Sequence, residues 1–479
     1  MRLRPHFCVT LLTLALLLSA ALPGQTANKA NDKPLNVVFY LVDDLGWKDI
    51  GANGSDYYQT PHIDRMAAEG MRFTNGYAAC TVCSPTRAAV MTGKYPARLL
   101  LTQWLPSGRW DAKKHRLREA RYISNLPLEE FTIAEALREG GYKTAFMGKW
   151  HLGSDTYYFP EHQGFDLNVG GRDYGAPGSY WYPYTGRWRI PTTPDMYSQR
   201  DTVVEGKEGD YLIDRMADKG VEFVRENGDQ PFFLMMSHYA VHTPLQGKPD
   251  KVAKYETIPE SRRQGDPRYA AMVESVDDSV GRVMQAVKDV GAADNTLFIF
   301  TSDNGGFARA TDNSPLRANK GSNYEGGLRV PVIINWPGVT EPGSVSDVPV
   351  ISTDFYPTIL GATGLPKRPQ QHMDGVDLSP VLKGRGRVNR EAIFWHYPHY
   401  NRHPQNFPAG VIRKGNWKLI EILDTGELEL YNLSLDIGEQ NNQVEAHPEL
   451  AQSLLAEMQA WRAEVNADPM RPNLLYEGN

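Results

Sequence analysis

The sequence contains very little cysteine, with three residues among 479. Cys8 lies in an apolar N-terminal run, so only Cys80 and Cys83 remain in the body of the chain. Such a pair cannot form a disulfide framework for a chain of this length, so buried apolar side chains must stabilise the fold. The C-x-x-C spacing also fits a redox pair or half of a zinc site. However, no second cysteine pair follows, and the context is not thioredoxin-like.

A strong excess of either charge is also lacking. The net charge of −6 is small for 479 residues, and no basic stripe or long acidic run is evident. We therefore expect no nucleic-acid partner, and an anion would have to be bound by a local group of residues.

Long apolar runs are lacking beyond the N-terminus. The run at residues 7–18 follows Arg2 and Arg4 and precedes small residues at 19–21, which is typical of a secretory signal peptide. It is shorter than the roughly 20 apolar residues that a membrane span needs. We therefore predict a signal peptide at residues 1–27, cleaved within 21–27, and a periplasmic or secreted protein without a membrane span.

Apolar runs of strand length alternate with amphipathic helical patterns in the rest of the chain. The apolar runs occupy residues 35–42, 231–237, 296–301 and 330–336, and the helical patterns cover 63–69, 132–139, 209–227 and 268–290. This alternation predicts an α/β fold whose large, mostly parallel sheet has helices on both faces. Ligands bind such sheets beyond the carboxyl ends of the strands.

The pattern changes near the C-terminus. Alternation at residues 411–422 and 427–432 predicts antiparallel strands, and residues 448–465 predict a closing helix. We therefore predict a large domain at 34–385 and a smaller α+β subdomain at 390–479, with the boundary within 383–390.

Polar residues follow the predicted buried strands. Asp43 and Asp44 follow the first run, and Asp303 and Asn304 follow the run at 296–301. One such pair is commonly a cap or a turn. Two pairs at one sheet edge would repel each other unless a cation neutralised them. Carboxylate and amide oxygens favour calcium or magnesium over zinc.

The segment Cys83-Ser84-Pro85-Thr86-Arg87 carries the strongest signal. Pro85 suits the first turn of a helix, which places Cys83 at the positive end of that helix. Anions are favoured at this position, and Arg87 can point back toward it from one turn further on. A lone buried cysteine would be the simpler interpretation, but the whole pattern is more specific than one residue.

This segment resembles the sulfatase family, in which C-x-P-x-R marks a cysteine that is oxidised to formylglycine. The residue before the arginine is usually serine in that family and is Thr86 here. The resemblance covers residues 35–442 and includes further blocks at 148–153, 242–244 and 320–329. It implies an alkaline-phosphatase-like fold and looks most like that of arylsulfatase-A-like bacterial enzymes.

The resemblance also implies the roles of individual residues. A formylglycine-generating enzyme would convert Cys83, and a hydroxyl of the hydrated aldehyde would attack sulfur. Arg87, Lys149 and Lys320 would contact the sulfate group. His242 would protonate the leaving oxygen, and His151 would accept a proton from formylglycine. A calcium ion would be held by the metal ligands Asp43, Asp44, Cys83 as formylglycine, Asp303 and Asn304.

Three other functions stay open at this point. A phosphatase or phosphonate hydrolase of the same superfold could use formylglycine too, since fold does not fix function. A non-catalytic glycan-binding homologue would keep the fold without the reaction, although every required motif residue is present. A redox role for Cys80 and Cys83 would give a disulfide instead of an aldehyde.

The expected substrate is a sulfated glycan or an aryl sulfate, with galactose or N-acetylgalactosamine sulfate as the expected sugar. Residues 157–193 form an aromatic insertion that either stacks on sugar rings or packs internally. Its aromatic residues are Tyr174, Tyr180, Trp181, Tyr182, Tyr184 and Trp188. Further candidate sugar contacts are Arg172, Asp173, His396, His399 and His403.

Overall fold

The buried strand predicted first in the chain lies near the centre of an eight-stranded sheet. The computed structural model describes residues 33–106, 110–153, 156–189, 197–200 and 204–476. The predicted signal peptide lies outside these residues. Residues Pro34–Asn479 form one compact unit, within which the domain boundary at 383–390 stays a prediction.

The large sheet is almost entirely parallel. Its strands are β1 (Asn36–Val42), β2 (Met71–Phe73), β3 (Lys143–Gly148), β4 (Leu167–Val169), β5 (Phe232–Ser237), β6 (Thr296–Ser302), β7 (Val332–Asn335) and β8 (Ser344–Ser346). They lie in the order β8-β2-β7-β6-β1-β5-β3-β4. Only β7 runs against its neighbours β6 and β2. The adjacent strands β4, β3, β5, β1 and β6 therefore end at the same edge.

Helices cover both faces of this sheet. The helices are α1 (Pro61–Glu69), α2 (Cys83–Thr92), α3 (Pro96–Leu99), α4 (Ile133–Glu139), α5 (Leu212–Asn227), α6 (Pro249–Glu256), α7 (Pro267–Asp289), α8 (Glu325–Leu328), α9 (Phe355–Thr363), α10 (Ser379–Leu382) and α11 (Pro448–Glu464). Val38 and Tyr40 of β1 pack with α1, α5 and α7. Val37 and Phe39 point the other way and pack with α2, α4 and α9, as alternation along a buried strand requires.

A second, antiparallel sheet follows near the C-terminus. It consists of β9 (Ala392–Tyr397), β10 (Ala409–Lys414), β11 (Trp417–Ile422) and β12 (Leu428–Asn432). Ile412 and Leu419 on one face pack under α11. Val411 and Ile420 on the other face pack against Ala89 of α2. The helix α2 thus packs against both sheets.

Three two-stranded ribbons complete the described strands. Their pairs are Gly76–Tyr77 with Val350–Ile351, Leu117–Arg118 with Arg471–Pro472, and Gly186–Arg189 with Tyr197–Arg200. Within the described ranges, none of the helices has the length and apolarity to cross a bilayer.

The fold prediction is confirmed in class and in its long elements. Each predicted apolar run forms a strand and each predicted helix is present, with ends shifted by a few residues. The strand β3 and the helix α2 lacked a periodic signal of their own. Since α2 is buried along its entire length, it shows no polar face from which a helix could be predicted.

A buried ionic cluster connects the C-terminal sheet to α8 and to the ribbon strand Gly76–Tyr77. Lys418 of β11 lies 3.0 Å from a carboxylate oxygen of Glu325 and 2.8 Å from one of Glu439, and all three side chains are fully buried. Glu325 also accepts hydrogen bonds from Arg329 at 2.7 Å and from Tyr77 at 2.8 Å. A buried charge is tolerated only when it is paired in this way.

We expect Lys418→Met to destabilise the protein strongly, because two buried carboxylates would lose their shared cation. Breaking a buried pair costs about 3–5 kcal/mol, which thermal denaturation would detect as a lower Tm. Lys414→Met is the matched control on the neighbouring strand, since Lys414 is 38% exposed and forms surface ion pairs with Glu391 and Glu457. Equal Tm values for the two variants would contradict a stabilising role for the cluster.

Candidate active site

One edge of the large sheet gathers polar residues from separate chain segments. Asp43 follows β1, Lys149 follows β3 and Asp303 follows β6. Ser237, the last residue of β5, lies among them: its hydroxyl donates to the Lys149 carbonyl at 2.7 Å. Parallel strands end at a common edge, which explains why residues so far apart in sequence meet here.

An acidic cluster forms the floor of the site. One ligand atom from each of Asp43, Asp44, Cys83 and Asp303 lies within 4.8 Å of the others. The amide nitrogen of Asn304 donates to Asp44 at 2.8 Å, whereas its buried Oδ1 has no hydrogen-bond partner in the described part of the chain. Three carboxylates and a spare amide oxygen fit a hard divalent cation, so this cluster could hold a metal ion.

Three cations balance the acidic cluster. Arg87 donates through Nε to Asp303 at 2.8 Å, Lys149 Nζ lies 2.6 Å from Asp43, and Lys320 Nζ lies 2.5 Å from Asp44. Their side chains are at most 6% exposed. Arg87 is fixed further by hydrogen bonds at 2.7 Å to the Ser237 hydroxyl and the Lys149 carbonyl.

Cys83 opens α2 and faces both kinds of charge. Its sulfur lies 3.7 Å from Asp43 Oδ1 and accepts a hydrogen bond from Lys320 Nζ at 3.4 Å. Burial raises the pKa of the Cys83 thiol to about 12, although Lys149 and Lys320 oppose the shift. Cys80 and Cys83 are both buried free thiols, so no disulfide joins them.

Burial and neighbouring charges shift the pKa values of Asp43 and Asp44, which follow β1, in opposite directions. Burial and the nearby Asp303 raise the pKa of Asp43 well above its ordinary value. Burial also disfavours the charge on Asp44, but Lys320, His242 and Lys149 outweigh it and hold that pKa below its usual range. Such divergent shifts are typical of functional sites.

The two predicted catalytic histidines lie at different places around the centre. His242 Nε2 lies 3.7 Å from Asp44, and this side chain is 19% exposed. Burial lowers the pKa of His242 to about 3, helped by Lys320 and opposed by Asp44. An anion bound beside it would oppose the shift, because opposite charge favours imidazolium. His151 is buried, and its Nε2 contacts the carbonyl of Leu105.

Two site residues have unusual backbone conformations. Asp44 has φ of 60° and His151 has φ of 61°, in the left-handed region that non-glycine residues rarely adopt. Each therefore turns the chain sharply just beyond a strand. Backbone strain of this kind concentrates where a fold has to orient functional groups.

The glycines of the block at 320–329 serve the protein's own packing. A Cβ on Gly326 would come within 2.2 Å of the Ala318 carbonyl oxygen. The backbone thus approaches another backbone segment closely at this glycine. The close turn orients Lys320, whose N–H donates to the Gly306 carbonyl at 3.0 Å.

The aromatic insertion packs inward to a large extent. Tyr174, Tyr180 and Tyr184 are buried in the core on the α5 and α7 face, while Trp181 and Tyr182 pack against it half-buried. The Trp188 side chain lies outside the described part of the chain. Tyr180 donates to the carbonyl of His242 at 2.9 Å, so it holds the His242 segment in place.

The candidate sugar contacts separate into interior and peripheral residues. His399 is fully buried between Thr102 and Glu119, and the buried His396 contacts the Asp468 carbonyl. These contacts favour packing roles for the two histidines. His403 lies next to Gly321, and Arg172 is exposed beside Phe159 with Asp173 half-buried next to it.

The sequence motifs gave no indication of Ser237, and Tyr180 was named only as an aromatic residue of the insertion and not as one that positions this centre. Ser237 could have been found from its place at the end of the predicted strand 231–237, where Asp43 and Asp303 have their counterparts. Tyr180 carried no such signal, because it lies far along the chain from the segment that it fixes.

Comparison with known families identifies the family of this chain. A family model described as Sulfatase matches residues 35–365, and one described as N-sulphoglucosamine sulphohydrolase, C-terminal, matches residues 318–464. The chain belongs to the sulfatase family. It is therefore a sulfuric ester hydrolase, and sulfate esters are its substrates.

Relatives of this sulfatase cover most of its length. A sulfatase of Formosa agariphila is 33% identical over 93% of this chain and 91% of its own. The N-acetylgalactosamine-6-sulfatase of Canis lupus familiaris is 32% identical over 80% of this chain and 72% of its own. The crystal structure of Ps i-CgsB in complex with k-i-k-neocarrahexaose has 31% identity and a TM-score of 0.73, covering 90% of this chain and 93% of that one.

We expect a divalent cation to stabilise this sulfatase through the acidic cluster. Calcium at 100 times its Kd would add about 2.7 kcal/mol, seen as a higher Tm in calcium than in a chelator. Asp44→Asn should abolish the shift, because it removes one charged ligand from the cluster.

Asp250→Asn, which alters an exposed acid in the first turn of α6, is the matched control and should keep the shift. If calcium raised the Tm of Asp44→Asn as much as that of the control, the ion would bind elsewhere, for example at the second acidic group of His62, Asp277 and Asp278.

Proposed function

We propose that this sulfatase hydrolyses a sulfate monoester on a sulfated carbohydrate, using formylglycine at position 83 and a calcium ion. The observation that carries the proposal is the position of Cys83. Its sulfur lies between the acidic cluster and Lys320, at the positive end of α2. A nucleophile there would meet a bound anion and a bound cation at the same point.

The residues around Cys83 suit both calcium and formylglycine. Asp43, Asp44, Asp303 and Asn304 would hold calcium, and Asn304 Oδ1, which has no hydrogen-bond partner among the described residues, is a ready ligand. When present, calcium would offset the carboxylate charge and polarise the ester oxygens, and hydrated formylglycine would supply a nucleophilic hydroxyl.

The chain's own cations would bind and orient the sulfate group. Arg87, Lys149 and Lys320 are buried and held by fixed partners before a substrate arrives. Such preorganised charge stabilises a developing negative charge without the cost of reorganising water. Buried lysines contribute most when they already point at the reacting group, as Lys320 does toward Cys83.

The histidines would handle protons on two sides of the centre. His242 is partly exposed beside Asp44, which suits a general acid that meets the leaving oxygen of the substrate. His151 is buried, and its backbone N–H donates to the Arg172 carbonyl at 3.0 Å. This fixed position suits a base that accepts a proton from the group at position 83. Tyr180 supports the first of these roles by holding the His242 segment.

The proposed substrate is a galactose or N-acetylgalactosamine sulfate within a glycan. One relative is named N-acetylgalactosamine-6-sulfatase, and the similar Ps i-CgsB was crystallised with k-i-k-neocarrahexaose. The first name supports a sulfated sugar over a simple aryl ester, and the second supports an oligosaccharide as the ligand. We further propose export to the periplasm or beyond, on the basis of the signal-peptide pattern at residues 1–27.

Aerobically purified protein with a co-expressed maturation enzyme should carry an aldehyde at residue 83 by peptide mass spectrometry. It should release sulfate from p-nitrophenyl sulfate. Cys83→Ala should remove both signals, and Cys80→Ala, which changes the neighbouring buried thiol, should keep both. A redox role for Cys80 and Cys83 would be favoured if Cys80→Ala lost activity and the wild-type protein contained a disulfide between these two residues. Faster turnover of a phosphate ester by the aldehyde form would favour a phosphatase.

Lys320→Met should lower kcat/KM for p-nitrophenyl sulfate by about 10²–10³-fold, as expected for one preorganised charge. Lys94→Met is the matched control, because Lys94 pairs with Glu130 at 2.7 Å, away from Cys83. It should keep the wild-type rate. A rate loss in Lys320→Met with the aldehyde fraction equally reduced would instead indicate a role for Lys320 in maturation.

A further inference from the structure

A cluster of exposed cations lies outside the active site of this acidic protein. It consists of Lys113, Lys114, Arg116, Arg118, Arg121 and Arg471, which we call the basic strip. All six are exposed, and the same segments contribute only Asp111, Glu119 and Asp468 as acids. The net charge of −6 predicted no basic stripe. The strip could not be predicted from the net charge, because it is confined to a short segment and because Arg471 is brought next to that segment only by the fold.

The strip contains an unfavourable pairing of like charges. In the ribbon of Leu117–Arg118 with Arg471–Pro472, Arg118 lies directly opposite Arg471. Like charges in this position destabilise a strand pair. Asp468 pairs with Arg121 at 2.8 Å and with Arg471 at 2.9 Å, whereas Arg118 makes no ion pair within the part of the chain described. An anion bound here would relieve the repulsion.

A surface pocket of about 380 Å³ opens at the strip. It is lined by Trp110, Arg118, Glu119, Ala120, Arg121, Tyr122 and Arg471. The Trp110 indole is fixed by a hydrogen bond from Nε1 to the Leu117 carbonyl at 2.9 Å. Aromatic rings beside arginines suit a sugar ring that carries an anionic group.

One loop connects this pocket to the active site. At its first end, Ala120 N–H donates to the Pro398 carbonyl at 3.3 Å, and His399 contacts Glu119 at 3.1 Å. At its other end, Asn401 donates to the Gly321 carbonyl at 2.9 Å, and a Cβ on Gly321 would meet His403 at 2.5 Å. Gly321 is the residue after Lys320, so residues 398–403 run from the strip to the site.

We propose that the basic strip binds further sulfate groups of a polymeric substrate, so that this enzyme acts on polysulfated polysaccharide. This inference rests on the proposed sulfate-ester hydrolysis. Continuity with the active site favours a sulfated glycan over nucleic acid. One polyanionic chain could place one sulfate at Cys83 and others along the strip, which raises its local concentration at the site.

The test uses mature full-length enzyme, p-nitrophenyl sulfate as reporter and dextran sulfate as competitor. Dextran sulfate should inhibit wild-type turnover competitively. Arg116→Glu/Arg118→Glu should raise the inhibition constant by about tenfold or more and flatten its salt dependence. Its kcat/KM for the reporter should match wild type. Arg225→Glu/Arg262→Glu, which reverses two exposed arginines elsewhere, is the control and should behave as wild type.

An unchanged inhibition constant in the strip variant would overturn the inference, and so would wild-type binding of dextran sulfate without inhibition. Tighter binding of single-stranded DNA than of dextran sulfate at equal ionic strength would also overturn it, in favour of a nucleic-acid partner. Absence of reporter turnover by the wild-type aldehyde form would instead overturn the proposed function.

Discussion

The balance between three buried carboxylates and three buried cations controls the rest of this structure. Asp43, Asp44 and Asp303 could not stay ionised together in the interior without compensation, since isolated buried charges cost several kcal/mol each. Arg87, Lys149 and Lys320 provide this compensation from separate chain segments. Each of them pairs with a different carboxylate. The fold must therefore bring all of these segments to one point before any of the charges is stable.

The parallel sheet is what makes such a convergence possible. Strands β1, β5 and β6 end side by side, and each delivers its polar residue to the same edge. The antiparallel C-terminal sheet fixes the segment after Lys320 through a buried ion pair. Lys418 binds Glu325, which begins α8 a few residues after Lys320. The charge of Lys320 and the buried ionic cluster of Glu325 are thus linked through one short loop, and that loop has little freedom to reposition Lys320.

Much of this could be predicted from sequence, for identifiable reasons. Strands such as β1 are continuous apolar runs, and their last residues mark the sheet edge, so Asp43 and Asp303 could be placed together without a structure. Resemblance supplied the proposed roles of Lys149 and His151, which spacing alone does not give. Tyr180 and the opposition of Arg118 to Arg471 could not be predicted, because both depend on long-range contacts that leave no periodic trace.

The charges around Cys83 and the cations of the basic strip differ in burial, and this difference suits them to different parts of the proposed substrate. Charges at Cys83 are buried and matched, so they act strongly but only over a few ångströms. Cations of the basic strip are exposed and incompletely matched, so each acts weakly but reaches about 8–10 Å into the solvent at physiological salt. A buried centre alone can recognise one sulfate group. Recognition of a repeating polyanion requires an exposed cationic surface as well, and the loop at 398–403 joins the two regions.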